Sequence, residues 1–141
     1  MSILGVILAG GQARRMGGID KGRLKIGDAS ILEITTKTLS FQLDKIILNA
    51  NGDQGRFSDL EIQVIPDTIK GYVGPLAGIL SGMRFAEKNG FTSILTVASD
   101  TPFFPADLVS KLSNASAKDN ALISLAATKK NDKLVRHPTF G

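Results

Sequence analysis

The 141-residue sequence has no cysteine and no tryptophan, one histidine and one tyrosine. Without cysteine there are neither disulfides nor thiolate metal sites, which fits a reducing cytoplasm. The basic residues near the N-terminus sit in one glycine-rich stretch without interleaved aromatics, which a base-stacking platform needs, and a nucleic-acid-binding module is not expected despite a net charge of +4. No apolar run approaches the ~20 residues of a membrane span. The opening Met1-Ser2-Ile3-Leu4-Gly5 has no basic n-region, so no signal peptide is expected either.

What is present suits an ordinary globular chain, with 43% hydrophobic and 21% charged residues. The length is enough for one domain with a substantial core, and the whole of 1–141 is read as one. The most informative stretch is Ile7-Leu8-Ala9-Gly10-Gly11-Gln12-Ala13-Arg14-Arg15-Met16-Gly17-Gly18-Ile19-Asp20-Lys21-Gly22. A buried-type strand, Ile3 to Leu8, runs into glycines that let backbone amides approach an anion. Arg14, Arg15 and Lys21 supply charge that suits phosphate oxygens. The spacing matches neither the P-loop nor the Gly-x-Gly-x-x-Gly dinucleotide fingerprint.

Further along, Arg23 to Asp28 predicts a short extended piece with a Gly-Asp turn. Ser30 and Glu33 fit a capping box opening a helix to about Phe41, with Thr35, Thr36 and Thr38 expected on its surface. Ile46 to Ala50 predicts a buried strand and Glu61 to Ile65 one nearer the sheet edge, broken at Pro66. Pro75 suits a helix start, and Leu76, Ile79, Leu80 and Met83 form an expected buried face. Gly78 and Gly82, four apart, allow close backbone packing. Lys88-Asn89-Gly90 ends that helix. Ser93 to Ala98 predicts another buried strand. Pro105 opens a third helix with Leu108, Val109 and Leu112 inside, followed by an expected loop from Asn114 to Asn120. Ala121 to Ala127 predicts a strand, Lys129 to Lys133 a charged turn, and Leu134 a return to extended structure.

This alternation predicts an α/β fold: a three-layer, Rossmann-like arrangement of a mostly parallel sheet with helices on both faces. In such a sheet, loops at the strand carboxyl ends gather around one crevice. Asn49, Asp67 and Asp100 all follow apolar strands. Asn49 and Asn51 are either turn residues or hydrogen-bonding groups for a nucleoside. Asp67 is either a loop carboxylate or helix cap, or a hydrogen-bond acceptor for a nucleoside. Asp100 is either a turn and capping residue or a ligand for Mg²⁺.

The stretch Leu8-Ala9-Gly10-Gly11-x-Ala13-Arg14-Arg15-Met16-Gly17-Gly18-x-Asp20-Lys21-Gly22 closely resembles the signature of molybdenum cofactor guanylyltransferases, within the nucleotidyltransferase superfamily. Gly74-Pro75-Leu76-Ala77-Gly78 resembles a second motif of that family, and Asp100-Thr101-Pro102 its metal-binding motif, with Ser99 where many relatives carry cysteine. The resemblance implies transfer of GMP from GTP to the phosphate of the molybdopterin-bound molybdenum cofactor, with release of pyrophosphate. It implies GTP contacts from Leu8, Ala9, Gly10, Gly11, Lys21, Asn49, Asp67 and Asp100, with Arg15, Lys21 and Asp100 acting in catalysis. It also implies Mg²⁺ on Asp100, Arg136 and His137 on the acceptor side, and cofactor-handling proteins as further partners. Family members continue beyond Gly141, so a chain truncated at its C-terminus is expected. A cytidylyltransferase, a sugar-phosphate nucleotidyltransferase or a nucleotide-binding protein without turnover are the alternatives.

Overall fold

The computed structural model describes residues 2–9, 23–71 and 74–141. Among the described residues, four strands form one parallel sheet: β1 (Ile3–Leu8), β4 (Ile46–Asn49), β5 (Gln63–Ile65) and β6 (Ser93–Ala98), in the order β5-β4-β1-β6. β1 lies between β4 and β6, with Leu8 level with Asn49 on one side and Ala98 on the other. The chain first builds outward through β4 to β5, then crosses back to add β6 on the opposite side of β1. The strand order therefore reverses at β1, the place where an open α/β sheet opens a crevice.

Strand alternation sends side chains to two separate cores. Leu4, Val6 and Ile47 pack with Ala86 beneath α2 (Pro75–Lys88). Ile7, Leu48, Leu95 and Val97 pack on the other face, with Leu32 and Leu39 of α1 (Ile31–Ser40) and Leu108 and Leu112 of α3 (Leu108–Asp119). Helices thus cover both faces, as the alternation predicted. A 3₁₀ helix, Gln54–Leu60, joins β4 to β5 and drops Phe57 into the second core.

Several local expectations hold. Lys25–Ile26 (β2) and Ala29–Ser30 (β3) form a small hairpin across a Gly27-Asp28 turn. The Ser30 hydroxyl accepts the Glu33 N–H, and the Glu33 carboxylate accepts the Ser30 N–H, completing the capping box. α2 ends at Lys88, with the Phe91 N–H donating to Ala86 O beyond a positive-φ Gly90.

Other expectations are overturned. Thr35 is not on the surface; it is fully buried, and its hydroxyl donates to Ile31 O, which removes the cost of burying it. Of the four residues expected on the buried face of α2, Leu76 and Met83 point outward and Ile79 and Leu80 are half-buried, while Phe85 packs against the core. Leu76 is 73% and Met83 55% exposed, while Ala77, Gly78, Ser81, Gly82 and Ala86 are buried. At Gly78 and Gly82 the helix axis lies so close to the sheet that no side chain fits. A Cβ on Gly82 would come within 2.9 Å of Val6 Cγ2, and one on Gly78 would overlap Asn49 Oδ1.

The third helix begins at Leu108 rather than Pro105 and continues through the expected loop to Asp119. Asn120 closes it in the left-handed conformation, donating its N–H to Ala117 O. The following strand pair is β7 (Ala126–Lys130) and β8 (Lys133–His137), antiparallel and isolated from the main sheet, so the strand expected over Ala121 to Ala127 is displaced toward the C-terminus. The turn is tighter than the expected Lys129 to Lys133. Asn131 and Asp132 both take positive φ, 50° and 60°, the pattern of a two-residue type I′ hairpin. Beyond β8, Gly141 exchanges both backbone hydrogen bonds with Thr96 on the outer edge of β6. No helix among the described residues is long and apolar enough to cross a membrane.

Candidate functional site

The carboxyl ends of the parallel strands collect the sequence-predicted groups. The Ala9 N–H donates to Asn49 O at 2.8 Å, and the Ser99 N–H donates to Leu8 O at 3.2 Å, so the end of β1 is tied to both neighbours. Leu8, Ala9, Asn49, Asp67 and Asp100 therefore lie on one rim of the sheet. Gly10, Gly11, Arg15 and Lys21, with Arg14, lie outside the described residues.

Asn49 and Asp67 meet directly. The pairing of β4 with β5 sets Asn49 level with Ile65, two residues before Asp67. Asn49 Nδ2 donates to Asp67 Oδ1 at 2.9 Å and reaches Ile65 O at 3.4 Å. Asn49 is itself 1% exposed, held between β1 and α2. Asp67 is only half-buried, so its carboxylate is reachable from the crevice.

A second asparagine completes the arrangement. Asn51 Nδ2 donates to Asp67 Oδ2 at 2.9 Å, and Asn51 Oδ1 accepts the Asp67 N–H at 2.8 Å. Each carboxylate oxygen thus receives one amide N–H and keeps accepting capacity for a ligand. The next residue is pinned as well. The Thr68 N–H donates to Ser81 Oγ, Ser81 Oγ donates to Ala77 O, and Arg84 donates to Thr68 Oγ1.

Sequence reasoning singled out Asn49 over Asn51 and passed over Ser81. The signal for Asn51 is its spacing: residues two apart in extended chain project to the same side. The signal for Ser81 is a hydroxyl four residues after Ala77, within the run of small residues on α2.

Asp100 stands exposed in the turn after β6. Among the described residues no group of three or more His, Cys, Asp or Glu side chains could hold a metal ion. A lone, hard carboxylate oxygen donor does fit Mg²⁺, which commonly takes one or two protein carboxylates and fills its shell with phosphate oxygens and water. Arg136 and His137 lie elsewhere in the fold, on the β7–β8 hairpin. His137 Nε2 is 2.9 Å from Thr128 Oγ1, and Arg136 is exposed. No described contact joins either residue to the Asn49–Asp67 pair.

This arrangement can present a preset carboxylate to paired N–H donors beside a strand-end crevice. Residues 5–140 match the family model of the MobA-like NTP transferase domain. The chain is 42% identical over 139 residues to a molybdenum cofactor guanylyltransferase of Mesorhizobium japonicum, covering 98% of this chain and 65% of that protein. It is 43% identical over 139 residues to one of Nitrobacter hamburgensis, covering 97% of this chain and 65% of that protein. The crystal structure of molybdopterin-guanine dinucleotide biosynthesis protein A from Archaeoglobus fulgidus shares the fold, with a TM-score of 0.66 at 24% identity over 98% of this chain and 65% of that one. The chain thus spans 65% of the length of each of these relatives. With its parallel sheet, its glycine-rich stretch after β1 and these matches, the chain belongs to the MobA-like NTP transferase domain family.

Proposed function

We propose that this chain forms the nucleotide-binding part of a molybdenum cofactor guanylyltransferase of the cytoplasm. The reaction transfers GMP from GTP to the terminal phosphate of the molybdopterin-bound molybdenum cofactor. An oxygen of that phosphate forms a bond to the α-phosphorus of GTP. The bond from that phosphorus to the oxygen bridging to the β-phosphate breaks, and pyrophosphate leaves with the electron pair. The nucleophile is already anionic, so no general base is required.

The observation that carries the reading is the Asp67 carboxylate, fixed by Asn49 and Asn51 at the carboxyl rim of a parallel sheet. Guanine offers N1–H and N2–H2 side by side, and a carboxylate with free capacity on both oxygens matches that pair. Cytosine has no such pair. Leu8 and Ala9 bring the chain to the same rim, and the amides of Gly10 and Gly11 with Arg15 and Lys21 hold the triphosphate. Their work is alignment of the α-phosphorus and stabilisation of developing charge. Asp100 is the residue that would hold Mg²⁺, which would supply charge neutralisation for the triphosphate. Arg136 and His137 serve the acceptor side, where Arg136 meets the pterin phosphate.

Calorimetric titration of the chain with GTP, CTP and ATP, with and without Mg²⁺, tests this. A GTP preference that strengthens with Mg²⁺ is expected, and Lys21→Ala and Asp100→Ala should each weaken Mg-GTP binding at least about tenfold, the loss of one charge-assisted contact. A CTP preference would move the protein to the cytidylyl branch, and wild-type binding by both variants would sink the phosphate and metal assignments.

A further inference from the structure

We propose that Asn51 is a positioning residue that sets base selectivity by fixing the plane of the Asp67 carboxylate, an inference resting on the reading that Asp67 meets guanine. A carboxylate at the end of a loop swings through staggered χ1 wells and a broad χ2. Accepting two adjacent N–H groups from a flat base edge demands one orientation of both oxygens. A single donor on Oδ1, from Asn49, would leave the group free to swivel about that contact. The second donor, Asn51 Nδ2 on Oδ2, removes that freedom.

The Asn51 amide works in both directions on the same residue. Its Oδ1 takes the Asp67 backbone N–H while its Nδ2 meets the Asp67 side chain, so backbone and carboxylate are locked together in one closed ring. This also fixes the amide's orientation, because only the oxygen can face an N–H and only the nitrogen a carboxylate. The clamp is anchored in turn. Arg56 donates to Asn51 O at 2.9 Å, and its guanidinium sits 4.6 Å over the ring of Phe57, which is buried in the core. No other side chain of similar length performs both tasks. A serine makes one of the two bonds, and an aspartate would place a second carboxylate against the first. The affinity gain is one of preorganisation, since the orientation is settled before the base arrives.

The test compares GTP with ITP, the same purine without the 2-amino group, by calorimetric titration of the intact chain and three variants. Wild type is expected to favour GTP by about tenfold or more, the loss of one hydrogen bond to a charged acceptor. Asn51→Ala should bring the GTP:ITP ratio near one. Asn51→Asp should do the same, although it keeps the asparagine shape and the acceptor for the Asp67 N–H; because a ratio is read, general repulsion of the triphosphate cancels. If Asn51→Ala fails to fold, Asn51→Asp alone decides. Wild-type ratios in the Asn51 variants, with the ratio lost in Asp67→Asn, would overturn the role of Asn51 alone. A wild-type ratio in Asp67→Asn, or no GTP preference in the unaltered chain, would overturn the guanine reading and this inference with it.

Discussion

A Cβ added at Gly82 would sit 2.9 Å from Val6 Cγ2 and 3.2 Å from Cγ1, against a fully buried strand residue. Overpacking of that kind costs ~1–3 kcal/mol, partly offset by a helix-propensity gain of up to about 1 kcal/mol. Gly82→Ala should therefore lower stability by up to about 2 kcal/mol in urea unfolding, the difference of those two effects, while leaving the GTP:ITP ratio unchanged. Gly78→Ala carries a different consequence. Its new Cβ would overlap Asn49 Oδ1 and approach Leu8 Cδ2 at 3.0 Å, so relief comes from turning the Asn49 amide and breaking its bond to Asp67. Here nucleotide binding should fall more than stability does, and equal losses in both would show that Asn49 has no special hold on the site. The four-residue spacing of these glycines announced close packing. What faced them was hidden, because the usual rule puts large apolar side chains inward. On α2 the closeness of the sheet reverses that rule and turns Leu76 and Met83 outward.

Among whole elements, α1 is the one whose start was most legible. Ser-Ile-Leu-Glu is a local signal, and its capping bonds lie within four residues. Ser30→Ala should cost about 1 kcal/mol, the usual worth of a side-chain N-cap, read as a lower urea midpoint at constant slope. The same box makes a pH prediction. The Ser30 N–H on its carboxylate, aided by the Ser30 hydroxyl, holds Glu33 below its ordinary value of 4.5. With a lowered folded-state pKa, its stabilising effect is complete above the unfolded value and is lost as pH falls through the folded one. Glu33→Gln should thus lower stability at neutral pH and converge with the unaltered chain in acid, flattening the stability profile below about pH 4.5; an unchanged acid limb would place the sensitive carboxylate elsewhere. The end of α3 was illegible for the opposite reason. Asn114 to Asn120 interleaves Asn, Ser and Asp with the good helix formers Ala115, Ala117 and Lys118 and carries no large apolar residue to show a periodic face, and Leu112 is buried in the core from the preceding turn. The helical hold there is tertiary, seen where Ser124 Oγ donates to Leu112 O and Ser116 Oγ to Ala121 O. Only Asn120, a residue suited to the left-handed cap, marked the boundary locally.

At the scale of the molecule, the order β5-β4-β1-β6 decides which distant residues become neighbours. Buried-strand patterns made the parallel sheet readable, and strand-end positions made Asn49, Asp67 and Asp100 readable as rim residues. The division of labour among Asn49, Asn51 and Asp67 was not readable. It depends on the register of β4 against β5, which aligns Asn49 with Ile65 across 16 residues of sequence. Because that rim is assembled from separate strands, a ligand bound there should stabilise the fold as a whole. A nucleotide at a hundred times its dissociation constant adds about 2.7 kcal/mol to the folded state. For a chain of this size that corresponds to a rise of roughly 5–15 °C in melting temperature. GTP with Mg²⁺ should produce such a rise and CTP at equal concentration a much smaller one. Asp67→Asn should erase most of the difference between the two nucleotides while keeping the shared part owed to the triphosphate. A rise of equal size for GTP and CTP in the unaltered chain would mean that these strands grip phosphate alone, and that base choice is made outside the Asn49–Asp67 rim.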